Sequence, residues 1–229
     1  VNANSSICWV LDPVDFPSVY TDSYMYKLSR YWVARYGAYP VLWTIAQEVD
    51  KGFYGAYNST TISKWYSVGQ AIQDNDAYKH PLSAHMENTE HTVASTSWWG
   101  SKPYHSWWAI QVQLDIANLT PKAKDFWNYT PAKPSVAYEI YYDAFGTDTK
   151  GARSQGYIAF QSGMYGYGYG ANGVWNDLYT MGDYGTAFFM PDKYTNWYDG
   201  ANLVSGSQMT HFKNFYTALE WWKLKPRFD

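Results

Sequence analysis

The fold is decided by the stretch Tyr39-Pro40-Val41-Leu42-Trp43-Thr44-Ile45-Ala46-Gln47-Glu48. Its apolar run, residues 39–46, is entered through a proline and has the length of a buried strand. The preceding residues 18–36 place these large side chains at helical spacing: Tyr20, Tyr24, Leu28, Tyr31, Trp32 and Arg35. Gly37 stops that pattern, so a helix followed by a buried strand predicts a parallel α/β unit.

The same alternation continues to the end of the chain. Further strand patterns occupy residues 80–85, 107–113, 134–139 and 165–174. Helical patterns occupy residues 62–72, 121–127, 150–163 and 207–224. Strands that alternate with helices predict parallel pairing, and about five strands is fewer than the eight of a closed barrel. Since no linker or charge block divides the chain, we expect residues 1–229 to form a single domain.

Composition narrows the possible functions. Aromatic residues make up 21% of the chain, which either places rings against a ligand such as a sugar or builds an aromatic-rich core. Charged residues make up only 16% and the net charge is −3, so no nucleic-acid partner is expected. No run of about 18 apolar residues occurs, and no membrane span is expected.

The single cysteine and the glycosylation sequons bear on whether the protein is secreted. Cys8 is the only cysteine, which excludes an internal disulfide and a Cys-rich metal site. Four Asn-x-Ser/Thr sequons occur, at Asn4, Asn58, Asn118 and Asn128. Their polar or turn-like contexts predict a secreted protein that would carry glycans in a eukaryotic source.

Parallel α/β folds place their chemistry at the C-terminal ends of the strands. The residues found there are Glu48, His85, Gln113 and Glu139, followed after the last strand by Asn172 and Trp175. Glu48 and Glu139 have no Lys or Arg beside them in sequence. Such a pair suits glycoside hydrolysis, in which one carboxyl group protonates the leaving oxygen while the other attacks or activates water. The alternative for each is a solvated loop carboxylate or a helix cap.

Other chemistries are poorly supported. His85, Glu87 and His91 form a loose cluster that matches no tight zinc motif, so no metal is expected, and His85 alone is also typical of a structural histidine. The glycines of residues 166–170 alternate in strand fashion and lack the helix start and lysine of a phosphate loop. Nucleotide chemistry is therefore disfavoured, and no cofactor is expected.

Three stretches carry a family pattern: YWVARYGAYPVLW at residues 31–43, ARSQ at 152–155 with YGYGANGVW at 167–175, and WWKLKP at 221–226. Together they resemble the apiosidase-like family of glycoside hydrolases, whose catalytic domain is a TIM (β/α)₈ barrel. The resemblance implies that this chain supplies strands four to eight, about five βα units. A barrel without its first units would expose strand edges, so we expect a separate N-terminal chain or segment to complete it.

The resemblance also assigns roles. It implies that Glu48 is the acid/base and Glu139 the nucleophile of a retaining enzyme, with carboxyl groups about 5 Å apart. The residues expected to bind the carbohydrate substrate are Gln47, His85, Gln113, Tyr138, Tyr169, Asn172 and Trp175.

The frame around the nucleophile departs from the family. The family reads Asn-Gly-Glu-Pro with Tyr-Glu soon after, whereas this chain reads Ala137-Tyr138-Glu139-Ile140 and then Tyr142-Asp143. Tyr138 in place of glycine is expected to fill a subsite. The leading hypothesis is a secreted retaining glycosidase acting on a plant- or microbe-derived polysaccharide, with furanoside linkages among the candidates. The alternative is a non-catalytic carbohydrate-binding or structural glycoprotein that retains the barrel.

Overall fold

A computed structural model of the chain describes residues 21–45, 49, 59–86, 99–111, 116–143, 151–171, 174 and 197–229. The chain divides into two compact units, Val1–Ile110 and Gln111–Asp229. In both units helices alternate with short strands, and the strand pairs have parallel register. The predicted mixed α/β class with parallel pairing is therefore confirmed.

The first helix of the first unit, α1, spans Asp22–Tyr36. Thr21 caps it, because its side-chain oxygen accepts a hydrogen bond from the Tyr24 N–H at 3.2 Å. The buried face consists of Met25, Ser29 and Val33. The predicted aromatic stripe was wrong at Tyr24 and Tyr31, which are exposed. A three-residue buried face at i, i+4 and i+8 is enough to dock this helix, and the tyrosines lie outside it.

The strands of the first unit lie side by side. They are β1 Trp43–Thr44, β2 Leu82–Ser83, β3 His85–Met86 and β4 Trp108–Gln111, and helix α2 Ser59–Asn75 lies between β1 and β2 in sequence. β1 pairs in parallel with β2, and β3 with β4. Since only Ala84 separates β2 from β3, residues 82–86 form one extended segment between β1 and β4. These pairings confirm three predicted strands, in shorter form.

Aromatic side chains build much of the first unit's core. Trp43, Trp65, Trp99 and Trp108 are each at most 1% exposed. Helix α2 approaches closely at Gly69, where a Cβ atom would lie 2.5 Å from the Tyr104 ring. An aromatic-rich core therefore accounts for these tryptophans without a ligand.

A buried carboxylate ties the end of α2 to the start of β1. Asp76, which is 2% exposed, accepts hydrogen bonds from Trp43 Nε1 at 3.0 Å and from the backbone N–H groups of Tyr78 and His80 at 3.0 and 2.9 Å. The His80 ring nitrogen Nδ1 also lies 2.9 Å from it. Burial alone would raise the pKa of Asp76, but the hydrogen bonds from Trp43, His80 and Tyr78 hold that pKa below its ordinary value.

The second unit repeats the alternation. Its elements are α3 Ile116–Trp127, β5 Ser135–Glu139, α4 Gly151–Gln161, β6 Gly166–Tyr167, α5 Trp197–Ala201, α6 Val204–Thr217 and a 3-10 turn Trp221–Lys223. β5 and β6 are parallel, with Val136 opposite Gly166 and Ala137 opposite Tyr167. Helices α4 and α6 pack through the rings of Phe160 and Phe212, whose centroids are 4.9 Å apart.

Three predicted boundaries in this unit were wrong. Helix α3 begins at Ile116, so Pro121 lies inside it and forfeits one intrahelical hydrogen bond instead of starting the helix. Among the described residues 165–171 of the predicted strand 165–174, a regular strand forms at β6, and Ala171 forms an isolated bridge with Asp143. The predicted helix 207–224 begins at Val204 and ends at Thr217.

The last of these errors has a tertiary cause. Past the end of α6, the Trp221 ring packs against Phe160 at 5.3 Å and Tyr165 at 5.7 Å between ring centroids. Packing of this kind outweighs the weak helix preference of the sequence before it. No helix within the described ranges is both long and apolar enough to cross a membrane.

Candidate active site

The structure describes four of the predicted site residues: His85 in the first unit, and Tyr138, Glu139 and Tyr169 in the second. The predicted residues that lie outside the described ranges are Gln47, Glu48, Gln113, Asn172 and Trp175. Glu87 and His91 of the loose metal cluster also lie outside them. Within the described part of the chain, no group of three His, Cys, Asp or Glu side chains is placed to hold a metal ion.

Glu139 is the last residue of β5, at the strand's C-terminal end, as predicted. Because side chains alternate across a strand, Glu139 shares a face with the buried residues Ser135 and Ala137, and Tyr138 points to the other face. Both Tyr138 and Glu139 are half-buried. The carboxylate is therefore attached to the strand yet accessible to a ligand.

The segment that follows β5 carries a hydroxyl group that contacts the Glu139 carboxylate. The Tyr142 hydroxyl donates a hydrogen bond to Oε1 of Glu139, three residues before it. The neighbouring Tyr141 N–H donates to Oε1 of Gln155 on α4 at 2.7 Å, and Gln155 is fully buried. The Gln155 side chain of α4 thus fixes the backbone of the segment that contains Tyr142.

A second carboxylate, that of Asp143, follows Glu139 four residues later in the sequence. Asp143 is 1% exposed, its N–H donates to the Gly170 carbonyl at 2.8 Å, and its Oδ2 accepts from the Tyr169 hydroxyl at 2.7 Å. Burial raises the pKa of Tyr169, and the hydrogen bond to Asp143 and the charge of Asp143 raise it further. Tyr169 therefore remains a neutral donor at neutral pH.

Two glycines allow these segments to approach. A Cβ atom at Gly168 would lie 2.2 Å from the Tyr138 carbonyl oxygen, and one at Gly170 would lie 2.4 Å from the Tyr142 ring. No side chain fits at either distance. The alternating glycines of residues 166–170 thus serve close packing beside Glu139.

In the first unit, His85 occupies the start of β3 and is 1% exposed. Its carbonyl oxygen accepts a hydrogen bond from the Val49 N–H at 2.9 Å. Val49 is buried and directly follows Glu48 in the sequence. The backbone beside one candidate glutamate is therefore fixed to the strand segment of residues 82–86.

Sequence reasoning gave no role to Tyr142 and Asp143, although it noted them as a departure from the family pattern. Their positions three and four residues after a strand-end glutamate were the available signal. Tyr169 was predicted to contact a sugar, and in the structure its hydroxyl is bonded to Asp143. Chemically, a half-buried carboxylate that accepts a hydroxyl hydrogen bond is suited to nucleophilic attack.

Comparison with known proteins gives a family and a fold. The family model described as "Apiosidase-like, catalytic domain" matches residues 8–223. A solved structure described as a glycoside hydrolase superposes with a TM-score of 0.65 at 17% identity, covering 87% of this chain and 47% of that one. No curated protein matches the sequence.

A second solved structure gives the same result. It is a glycoside hydrolase family 5 protein from Bacteroides vulgatus ATCC 8482, with a TM-score of 0.65 at 16% identity, and 87% of this chain covers 46% of it. These likenesses show a fold of the TIM-barrel type. The chain spans about half the length of the solved structures it matches.

Proposed function

Because the chain belongs to the apiosidase-like family of glycoside hydrolases, we propose that it works as a retaining glycosidase on a polysaccharide or oligosaccharide. Glu139 is the nucleophile and Glu48 the acid/base. The observation that carries this proposal is the position of Glu139 at the C-terminal end of β5, with the Tyr142 hydroxyl donating to its Oε1. A hydrogen bond to a carboxylate favours its ionised form, which the nucleophile must have.

The reaction proceeds in two displacements. In the first, a Glu139 oxygen bonds to the anomeric carbon, the glycosidic C–O bond breaks, and the proton of Glu48 passes to the leaving oxygen. In the second, Glu48 takes a proton from water, and the water oxygen displaces Glu139 from the anomeric carbon. Two inversions at one carbon retain its configuration, and the residues need no cofactor.

The assignment of Glu48 has separate support. It ends the apolar stretch that contains β1, and it precedes Val49, whose N–H is bonded to the His85 carbonyl. The family pattern gives the strand-four carboxylate the acid/base role. We place Gln47, His85 and Gln113 beside it in the sugar subsite.

The rest of the subsite comes from the second unit in this proposal. Tyr138, half-buried on β5, stands where the family has glycine, and we place it at the rim of the subsite because it points to the face of the strand opposite Glu139. Tyr169, Asn172 and Trp175 complete the subsite. Aromatic faces of this kind suit sugars, which are apolar on one face and hydroxylated at the rim.

A further part of the proposal is that an N-terminal chain or segment completes the barrel. The matched structures are about twice as long as the part this chain covers, which supports it. We also propose secretion. Of the sequons, Asn128 is exposed just after α3 and open to a glycan, whereas Asn118 lies within the first turn of α3 rather than in a turn-like context.

The test is hydrolysis of a glycan panel by the full-length protein and three variants. Glu139→Gln and Glu48→Gln should each abolish turnover while the fold is retained. Glu220→Gln is the matched control, because the Glu220 side chain is 64% exposed and its carboxylate pairs with Lys223 beyond the end of α6. Hydrolysis by Glu139→Gln at the natural rate would contradict the assignment. Glycan binding without any hydrolysis by the natural protein would favour the carbohydrate-binding alternative that Tyr138 suggests.

A further inference from the structure

We propose that Tyr142 is a positioning residue for Glu139, and that the Asp143–Tyr169 pair holds Tyr142 in place. This inference rests on the proposed function, since it assigns a role beside the nucleophile. The Tyr142 hydroxyl donates a hydrogen bond to Oε1 of Glu139. A donor at one carboxylate oxygen fixes the rotation of the group and stabilises its charge.

The hydroxyl reaches Glu139 because its backbone is anchored on both sides. On the N-terminal side, the Tyr141 N–H is bonded to Gln155 of α4 at 2.7 Å. On the C-terminal side, the Asp143 N–H is bonded to the Gly170 carbonyl at 2.8 Å. Three consecutive residues are thus tied to α4, to Glu139 and to the segment after β6.

The ring of Tyr142 is also confined. It lies against Gly170, where any Cβ atom would come within 2.4 Å of it. The Tyr169 hydroxyl, bonded to Asp143 Oδ2 at 2.7 Å, locks the segment that carries Gly170 to the segment that carries Tyr142. Asp143, one of the residues that depart from the family pattern, is the acceptor of this contact.

The ionisable groups on the elements around Glu139 can be named. Tyr138 lies on β5, and Tyr141 and Asp143 follow it. Tyr167 lies on β6, Tyr169 follows it, and Arg153 lies on α4. Burial raises the pKa of both Tyr167 and Tyr169, so neither titrates where a glutamate does. Substituting the Tyr142 hydroxyl alone therefore changes one neighbour of Glu139 and leaves the others intact.

The test measures Glu139 directly. In the full-length protein labelled with ¹³C-glutamate, the carboxyl signal that disappears in Glu139→Gln is assigned to Glu139. In Tyr142→Phe the pH at which that signal is half-titrated should rise by about one to two pH units, because the ionised carboxylate loses a hydrogen bond. Tyr165→Phe is the control, because Tyr165 is 46% exposed at the start of β6, and it should leave the signal unchanged.

Activity supplies the second readout. Tyr142→Phe should lower kcat/KM about 10- to 100-fold and move the acidic limb of the pH profile upward, which a purely structural loss would not do. Tyr169→Phe should act in the same direction with a smaller change, and it tests the pair if Tyr142→Phe does not fold. An unchanged Glu139 titration in both variants overturns the inference. Equal hydrolysis by the natural protein and Glu139→Gln would instead overturn the proposed function while the titration result stands.

Discussion

Two buried aspartates, Asp76 in the first unit and Asp143 in the second, are nearly equal in exposure, at 2% and 1%. Asp76 takes its hydrogen bonds from an indole, two backbone N–H groups and an imidazole at the N-terminal start of β1. The Asp143 carboxylate, just beyond the C-terminal end of β5, accepts a hydrogen bond from the Tyr169 hydroxyl. The contrast follows the division of α/β barrels into a stabilising N-terminal face and a reactive C-terminal face. Asp76 is therefore expected to govern stability, and Asp143 to govern activity.

The largest expected effect is the loss of stability on removing Asp76. Asp76→Ala leaves the Trp43 indole and two backbone N–H groups buried without their acceptor, so the free energy of unfolding should fall by about 3–5 kcal/mol. Asp143→Ala should lower it by about 1–3 kcal/mol, because the Tyr169 hydroxyl loses its acceptor. Denaturant unfolding of the full-length protein measures both. Equal losses would break the contrast between the two aspartates.

Close packing beside Glu139 should give the next largest effect. Gly168→Ala places a Cβ atom 2.2 Å from a backbone oxygen of β5, which cannot yield without moving the strand. The free energy of unfolding should fall by about 1–3 kcal/mol, and hydrolysis should decrease with it. Gly206→Ala on α6 is the control, because its nearest neighbour is the Tyr169 hydroxyl at 3.3 Å. If both variants behave alike, close approach does not explain the glycines.

The smallest expected effect is a pH dependence of the stability that Asp76 contributes. Its pKa in the folded protein is lower than its ordinary value, so the stability it contributes is full above about pH 4 and is lost as the pH falls through the folded pKa. Asp76→Asn should therefore differ most from the natural protein at neutral pH and less in acid. Unfolding curves at several pH values measure this difference. A difference that grows toward low pH would contradict the sign.

Most of the fold could be predicted from the sequence where local patterns determine it. The apolar stretch before Glu48, the strand ending at Glu139 and the helix ending at Tyr36 all have strong periodicity and clear stop residues. The errors occur where distant contacts dominate. Trp221 lies beyond the end of α6 and packs on Phe160. The segment after β6 departs from regular strand structure, and Gly168 and Gly170 let it approach the segment of β5 and Tyr142 closely.

The candidate site could be predicted only in part. Glu139 was identifiable because position at a strand end is a local property. The hydrogen bond of Asp143 was not, since its donor, Tyr169, is 26 residues further along the chain. Side-chain hydrogen bonds between residues so far apart in the chain produce no periodic pattern in the sequence. Strand-end position therefore makes Glu139 a candidate, the family resemblance gives it a role, and neither identifies the residues that contact it.

The most direct test of the central claim is to find the sugar on the protein. The full-length protein is incubated with a glycan substrate, quenched in acid, digested and analysed by mass spectrometry for a glycosyl adduct. The account predicts an ester-linked sugar on the peptide that contains Glu139, absent in Glu139→Gln, because a retaining enzyme passes through a covalent intermediate. A sugar on a different residue, or a product of inverted configuration with no adduct, would contradict it.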